Sequence, residues 1–589
     1  MNPELPGPAG YCSGQLIPYL GNKRSLLPRL QPVLMRLAAG IECPRFIDPF
    51  AGSGSVSRLA RAMGMSVAAN DWEPYSEAIN SCWLRLRPSD LDAAFGGAAG
   101  LTAFFQDWNA MHPASVAPRV PLSATGEPYI ARWFAPADTS APRLGQERLF
   151  YTAENATFVD RVRTRLEREY PSPAPGSAGD VKRRVVMGAL LLEAAVHANT
   201  SGVFKAYHRG FGGHGGDALS RILGRMVLEP PVLPESLQAV VFKEDALTFV
   251  AGKEADIAYF DPPYNQHQYG SNYHLLNTIL RWDCKPLPME ADADSGYSSK
   301  AGIPVGWKAT RSSFCVRSQS ADSVSAMLDA CEASRLLFSW NADGHLSGED
   351  MVRILAPRGR LDTIALDYVA YRGGRQSASR NSRSREYLFV VDTKAEPVDT
   401  DSAVAALREM ASRDEVLRST YDPERVARVF SLKTMPSRRV LERRLDGQAT
   451  LGFDDSSQFP EASAFFSPDL RQASVEAGML LSTLEPGRRR RFVELISGCA
   501  CAGVVEELSV LLALAAEAAH AGKLKTVRSA VREAPRLIRK LAHDKYAVDF
   551  ERFLHEFRAL GQLAGDNNLA GKLAKLERLL SDRTGMART

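Results

Sequence analysis

The sequence predicts an α/β fold, and three stretches carry that expectation. Residues 45–64 run from an apolar strand (Arg45 to Asp48) through a turn of small residues around Gly52 and Gly54 into a helix that ends at Gly64, the opening of a βα unit. Met65 to Asp71 reads as a second short strand ending in an acid. Ala255 to Phe260 reads as a buried strand, and it stops at Asp261-Pro262-Pro263-Tyr264, where two prolines forbid continuation of a sheet.

Further strands are expected at Val240 to Asp245, at Leu336 to Asn341, and on either side of an arginine-rich stretch, at Ile364 to Tyr371 and Glu386 to Val391. With 589 residues the chain is too long for one core, and two to four domains are expected. Hydrophobic residues at 45% and charged residues at 24% are globular values that exclude wholesale disorder. A net charge of +4 permits a nucleic-acid partner without arguing for one. The eight cysteines show no CxxC pair, which points to a reduced, cytoplasmic chain with no structural metal site. The Pro- and Gly-rich first residues do not form a leader, and the most apolar runs, Val185 to Val196 and Val510 to Ala516, are too short to span a bilayer.

The tetrapeptide carries the most specific chemistry. At the end of a strand it places a carboxylate, a stiff carbonyl and an aromatic face at the mouth of an α/β site. Asp261 Oδ and the Pro262 carbonyl suit the two hydrogens of an exocyclic amine, and Tyr264 suits the ring that bears it. An amine held this way has its lone pair drawn out of the ring and can attack a methyl group. A plain Pro-Pro loop is the alternative.

A second set of residues points to a cofactor. Asp71 follows Asp48 by 23 residues, close to the roughly 20 expected between a Gly-rich turn and an acid that holds a ribose hydroxyl. Gly52 and Gly54 let the backbone approach a ligand, and Asp48 can face a cationic group such as an ammonium. Upstream, Tyr19-Leu-Gly21-Asn-Lys23 offers a ring for an adenine and a cation for a carboxylate. An ordinary tight turn and a solvated lysine are the alternatives.

Together these pieces resemble the alpha-group, Dam-like N6-adenine DNA methyltransferases. Tyr-x-Gly-x-Lys, Asp-Pro-Phe-Ala-Gly-Ser-Gly, an Asp closing the next strand and a distant Asp-Pro-Pro-Tyr stand in the family's order over about residues 15 to 395. The family often has Trp or Phe where Tyr19 stands, and its recognition region is better delimited. The resemblance implies a Rossmann-like S-adenosylmethionine-dependent methyltransferase fold with an inserted target-recognition region. It implies that Tyr19, Lys23, Asp48, Gly52, Gly54 and Asp71 contact S-adenosylmethionine, and that Asp261, Pro262 and Tyr264 hold a flipped base, Asp261 also facing the cofactor. Asp245 is expected to accept from the cofactor's adenine amine, as the corresponding acid does in the wider fold, or to cap the next helix.

The expected organisation is a catalytic domain of residues 1–90 and 236–395, a recognition region of residues 91–235, and an α-helical C-terminal domain of residues 396–589. Within the second, residues 199–216 interleave Lys205, Tyr207, His208, Arg209 and Phe211 with glycines, a pattern expected of a mobile loop on DNA or of a simple inter-domain loop. Arg372, Arg375, Arg380, Arg383 and Arg385 stand at a hairpin tip expected to face phosphates. Residues 265–278, dense in amides, His and Tyr, suit base and phosphate contacts or a polar loop entering a helix. Ser339 and Trp340 are expected to line the site. In the C-terminal domain, Arg488 to Arg491 and the basic residues of 523–545 read as solvated helix faces or as contacts to DNA or a partner.

The expected reaction is methyl transfer from S-adenosylmethionine to adenine N6 in double-stranded DNA by base flipping, with a restriction or defence protein as a further partner and no membrane. Cytosine N4 in DNA, adenine in RNA, and a catalytically silent DNA-binding subunit are the alternatives.

Overall fold

A computed structural model describes residues 4–114, 128–212, 218–285, 301–341, 344–369, 383–418, 486–499 and 503–520, together with isolated positions. Among the described residues seven strands form one sheet: β1 (Arg45–Asp48), β2 (Ser66–Asn70), β3 (Val240–Phe242), β4 (Glu254–Phe260), β5 (Glu332–Asn341), β6 (Arg360–Val369) and β7 (Arg383–Asp392). Their order is β3-β2-β1-β4-β5-β7-β6. The pairs joining β3 to β5 through β2, β1 and β4 are parallel, and β7 runs antiparallel to both its neighbours.

The three strands that announce the fold form because their side chains have only the core to enter. Ala255, Ile257, Ala258, Tyr259 and Phe260 of β4 are buried, as a strand covered on both faces requires. Register is fixed by ring contacts: Phe260 lies opposite Phe338 of β5 with centroids 4.5 Å apart, and Phe46 of β1 stacks on Tyr259 at 6.5 Å. That register sets Asp261, one residue past β4, level with Ser339.

Helix α1 (Leu27–Ala38) buries Leu27, Leu30, Leu34 and Leu37 at helical spacing. Helix α2 (Ser55–Ala62) follows the glycine turn, and its two arginines are buried. Arg61 donates to the carbonyls of Trp83 (2.7 Å), Leu86 (2.8 Å) and Leu237 (2.8 Å), and Arg58 lies over the Trp83 ring at 4.6 Å. The bonds to Trp83 and Leu86 satisfy carbonyls at and just past the end of helix α3 (Pro74–Trp83) and tie α2 to it. The apolar run at Val185 forms part of a helix over Ala178–Val196, packed on α3 so closely that a Cβ at Gly188 would stand 2.7 Å from Cys82 Cβ.

β3 is shorter than expected and ends at Phe242. Asp245 caps the helix Ala246–Val250 by accepting from the Leu247 (3.0 Å) and Thr248 (3.4 Å) N–H groups. By chain contacts there are two units, one of residues 1–375 and 382–403 and the other of 376–381 and 404–589. The second contains the helices Pro486–Ser497 and Val504–His520, with Phe492, Ile496, Leu508 and Leu511 buried. Among the described residues no helix is long and apolar enough to cross a membrane.

Candidate active site

The strands are added to one side of β1 as β2 and β3, and to the other as β4 and β5. The carboxyl ends of β1 and β4 therefore border the crevice where open α/β sheets bind ligands. A cavity of about 940 Å³, part of it open to solvent, lies there, and its wall includes Tyr19, Lys23, Asp48, Gly52, Asp71, Asp261, Pro262 and Tyr264. Gly54 and Asp245 stand just outside the wall, Asp245 between the lining residues Glu244 and Ala246.

The turn after β1 is built around its glycines. Gly52 and Gly54 have φ of 51° and 80°. A Cβ on Gly54 would lie 2.1 Å from Asn80 Oδ1, and one on Gly52 would lie 2.8 Å from the Tyr19 ring. The Gly52 carbonyl accepts from Ser76 Oγ (2.6 Å) and Asn80 Nδ2 (3.2 Å), and its N–H donates to Asp71 Oδ2 (2.8 Å). Asp71 also accepts from the Glu73 N–H (2.9 Å). Asn70 donates to the Pro49 and Glu244 carbonyls (3.1 Å each), joining the turns that follow β1 and β3.

Asp48 is 1% exposed, accepts from Ser57 Oγ (2.6 Å) and has its carboxyl pushed up to about 7 by burial, against the pull of that hydrogen bond. Burial also raises Asp71, and it lifts Glu73 to about 7 although Asn277 donates to it (2.7 Å). Five acids, Asp48, Asp71, Glu73, Glu244 and Asp261, line the cavity, and among the described residues Lys23 is the one Lys or Arg in its wall.

Lys23 is held by two carboxylates of the protein itself. Its ammonium is 3.0 Å from Asp261 Oδ1 and 2.6 Å from Glu386 Oε1. Glu386, on β7, is fully buried and also accepts from Ser339 Oγ. Burial alone would lower the Lys23 pKa, but Asp261 and Glu386 outweigh it and hold the ammonium charged. Asp261 is pushed up to about 7 by burial, with Lys23 opposing and Glu386 adding to the shift. Tyr264 lies beside both, with Lys23 5.6 Å from its ring centroid and Trp340 meeting it edge-on at 6.0 Å. Tyr19 stacks on Tyr273 (4.9 Å) and Tyr269 (5.3 Å), so it backs the glycine turn as much as it lines the cavity.

Glu386, Ser57, Trp72 and Phe50 were not singled out by sequence. The trace of Glu386 is a single acid opening an apolar strand. Trp72 follows Asp71 directly, is 39% exposed and lines the cavity with Phe50.

The residues expected on DNA divide. Lys205 and Arg209 are exposed, and His208 is half-buried with its N–H on the Asn199 carbonyl (3.1 Å). The loop expected to be mobile is anchored over its described part: the Phe204 N–H donates to the Asn272 carbonyl (2.7 Å), and Tyr207 meets Phe150 edge-on at 5.0 Å. The Phe204 and Tyr207 rings are thus core contacts, and residues 213–217 lie outside the described residues. Arg372, Arg375 and Arg380 also lie outside them, as do the side chains of Arg383 and Arg385. In the run after the tetrapeptide, Gln268, Ser271, Asn272, Tyr273, His274, Asn277 and Thr278 are buried, and His274 bonds the Phe204 carbonyl (2.9 Å). Burial lowers His274 to about 4, keeping it neutral.

The model of the D12 class N6 adenine-specific DNA methyltransferases matches residues 19–99 and 187–304, which contain the glycine turn and the tetrapeptide. The Type II methyltransferase M.CviAII of Paramecium bursaria Chlorella virus 1 is 30% identical over 261 residues, covering 43% of this chain and 68% of the relative. The Type II methyltransferase M.NlaIII of Neisseria lactamica is 25% identical over 385 residues, 64% of this chain and 98% of the relative. The modification methylase StsI of Streptococcus sanguinis is 23% identical over 384 residues, 64% and 52% of the two chains. With the tetrapeptide and the glycine turn opening on one cavity, the chain belongs to the D12 class N6 adenine-specific DNA methyltransferase family.

Proposed function

We propose that the protein transfers a methyl group from S-adenosylmethionine to N6 of an adenine extruded from double-stranded DNA, at a specific site. The observation that carries the proposal is a single cavity walled on one side by Asp48, Gly52 and Asp71 and on the other by Asp261, Pro262 and Tyr264. The acids suit a ligand bearing a sulfonium and an ammonium, the glycine turn admits it to the backbone, and Trp72 and Phe50 offer faces to a flat ring.

When bound there, S-adenosylmethionine supplies an electrophilic methyl group. Asp48 and Asp71 are the acids placed to hold its cationic and hydroxyl groups, and Gly52 leaves them room. Asp261 and the Pro262 carbonyl accept from the adenine amine, so the nitrogen lone pair turns toward the methyl, while Tyr264 packs on the ring. Lys23 holds Asp261 in place, and Asp261 is placed to take the proton that the amine releases. Rate comes from positioning and charge rather than from a strong base. Extruding the base costs a few kcal/mol, which contacts to base and backbone offset.

The relatives carry Type II and modification-methylase names, which supports a cognate restriction nuclease as the cellular partner. Incubating the protein with S-adenosylmethionine labelled in its methyl group and with duplex DNA or RNA tests the reading. Label is expected in DNA, and label confined to RNA, or none, would refute it.

A further inference from the structure

Residues 301–317 form a strap that touches the cavity wall at Ser312 and contains two short 3-10 turns, Val305–Thr310 and Ser313–Cys315. Ser312 lies in the cavity wall and is locked to Gln268, whose Nε2 donates to the Ser312 carbonyl (3.3 Å) while its Oε1 accepts from the Ser312 N–H (3.0 Å). Cys315 Sγ donates to the His267 carbonyl (3.3 Å). His345 bonds the Cys315 carbonyl through Nε2 (3.3 Å) and the Tyr264 carbonyl through its N–H (2.7 Å). Phe314 meets Phe50 edge-on at 5.2 Å. The strap is therefore tied both to the tetrapeptide turn and to the turn after β1.

Arg311, next to Ser312, and Lys308 are exposed, and among the described residues neither has a carboxylate within ion-pair distance. Lys205 approaches from the anchored loop: it and Arg311 both act electrostatically on Cys315, and Lys205 also acts on His267. Two chain segments thus bring cations to the rim of a cavity whose own lining is acidic. Such a rim sorts a nucleotide by charge, because phosphates are repelled from the interior and held at the edge, while an uncharged base can enter.

We propose that Lys308, Arg311 and Lys205 form a clamp on the DNA backbone phosphates beside the extruded nucleotide. The clamp rests on the reading of the cavity as a DNA-base site. It explains how the nucleotide's charged part stays outside while its amine reaches Asp261.

The test is duplex DNA binding by the full chain as a function of salt, for wild type, Arg311→Gln, Lys308→Gln, Arg311→Lys and Arg45→Gln. Arg45, at the start of β1 and hence at the opposite end of the sheet, pairs with Glu254 and Asp256 and serves as the control. Removing the cation that neutralises one phosphate is expected to make the slope of log affinity against log salt shallower by about 0.9. Arg311→Gln and Lys308→Gln are expected to show this, with roughly tenfold weaker DNA binding at low salt and unchanged S-adenosylmethionine binding. Arg311→Lys keeps the wild-type slope, as does Arg45→Gln. Unchanged slopes in both Gln variants, beside a wild type that does bind DNA, overturn the clamp alone. An Arg311→Lys slope as shallow as that of Arg311→Gln overturns its electrostatic basis. A wild type without salt-dependent duplex binding overturns the clamp and the DNA-base reading together.

Discussion

Lys23 Nζ stands 3.0 Å from Asp261 Oδ1 and 2.6 Å from Glu386 Oε1, so one buried cation is divided between the acid of the tetrapeptide and an acid on β7. With Glu386 present, the Lys23 charge is not spent on Asp261 alone, which leaves Asp261 free to accept from an amine. Glu386→Gln should fix Lys23 on Asp261 and lower the Asp261 pKa. Turnover is expected to fall about tenfold or more, with S-adenosylmethionine binding within about threefold of wild type. Wild-type turnover in that variant would show that Glu386 only fills space.

Asp261 itself should carry transfer but not cofactor capture. Asp261→Ala is expected to lower turnover by about a thousandfold or more, while calorimetric S-adenosylmethionine binding changes only a few-fold. Because burial pushes Asp261 and Asp48 up to about 7, wild-type kcat/KM should fall as pH drops below that region. Persistence of full kcat/KM down to pH 5 would contradict this assignment.

The turn after β1 should tolerate no side chain at Gly54. Its φ of 80° costs about 1–2 kcal/mol for an alanine, and the new Cβ would meet Asn80 Oδ1 at 2.1 Å. Gly54→Ala is expected to lower the melting temperature and weaken S-adenosylmethionine binding tenfold or more. Adding Asn80→Ala should recover part of both, and a lack of any recovery would mean that the collision is not the cause.

Asp48 should make stability depend on pH with a definite sign. Its folded-state pKa of about 7 lies above the ordinary 3.8, so between those values the folded protein keeps a proton that the unfolded chain has released. The contribution of Asp48 to stability therefore falls as pH rises from about 4 to 7 and is level above that. Asparagine cannot titrate, so Asp48→Asn should gain on wild type across that window, by up to a few kcal/mol. Urea unfolding of both ligand-free proteins at pH 5 and pH 8 measures the change, and a difference independent of pH would contradict it.

What was legible in the sequence was local. β1, β2 and β4 could be read because a short apolar run ending in glycines, an acid or two prolines has few other uses, and Asp48, Gly52, Asp71 and Asp261 stand at those ends. Glu386 escaped because its meaning lies in a lysine 363 residues away. The run after the tetrapeptide could be read as DNA-facing or as structural, and it is mostly buried because Asn277 finds Glu73 and Gln268 finds Ser312. Tyr207 similarly looked available until Phe150, more than fifty residues earlier, took its ring against the core. Composition shows that such residues need partners, but only tertiary packing decides which.

Digesting duplex DNA to nucleosides after incubation with the protein and S-adenosylmethionine, and identifying the modified base by mass spectrometry, tests the proposed chemistry most directly. N6-methyladenine is expected with wild type and not with Asp261→Ala. N4-methylcytosine in its place, or equal N6-methyladenine from the two proteins, would contradict it.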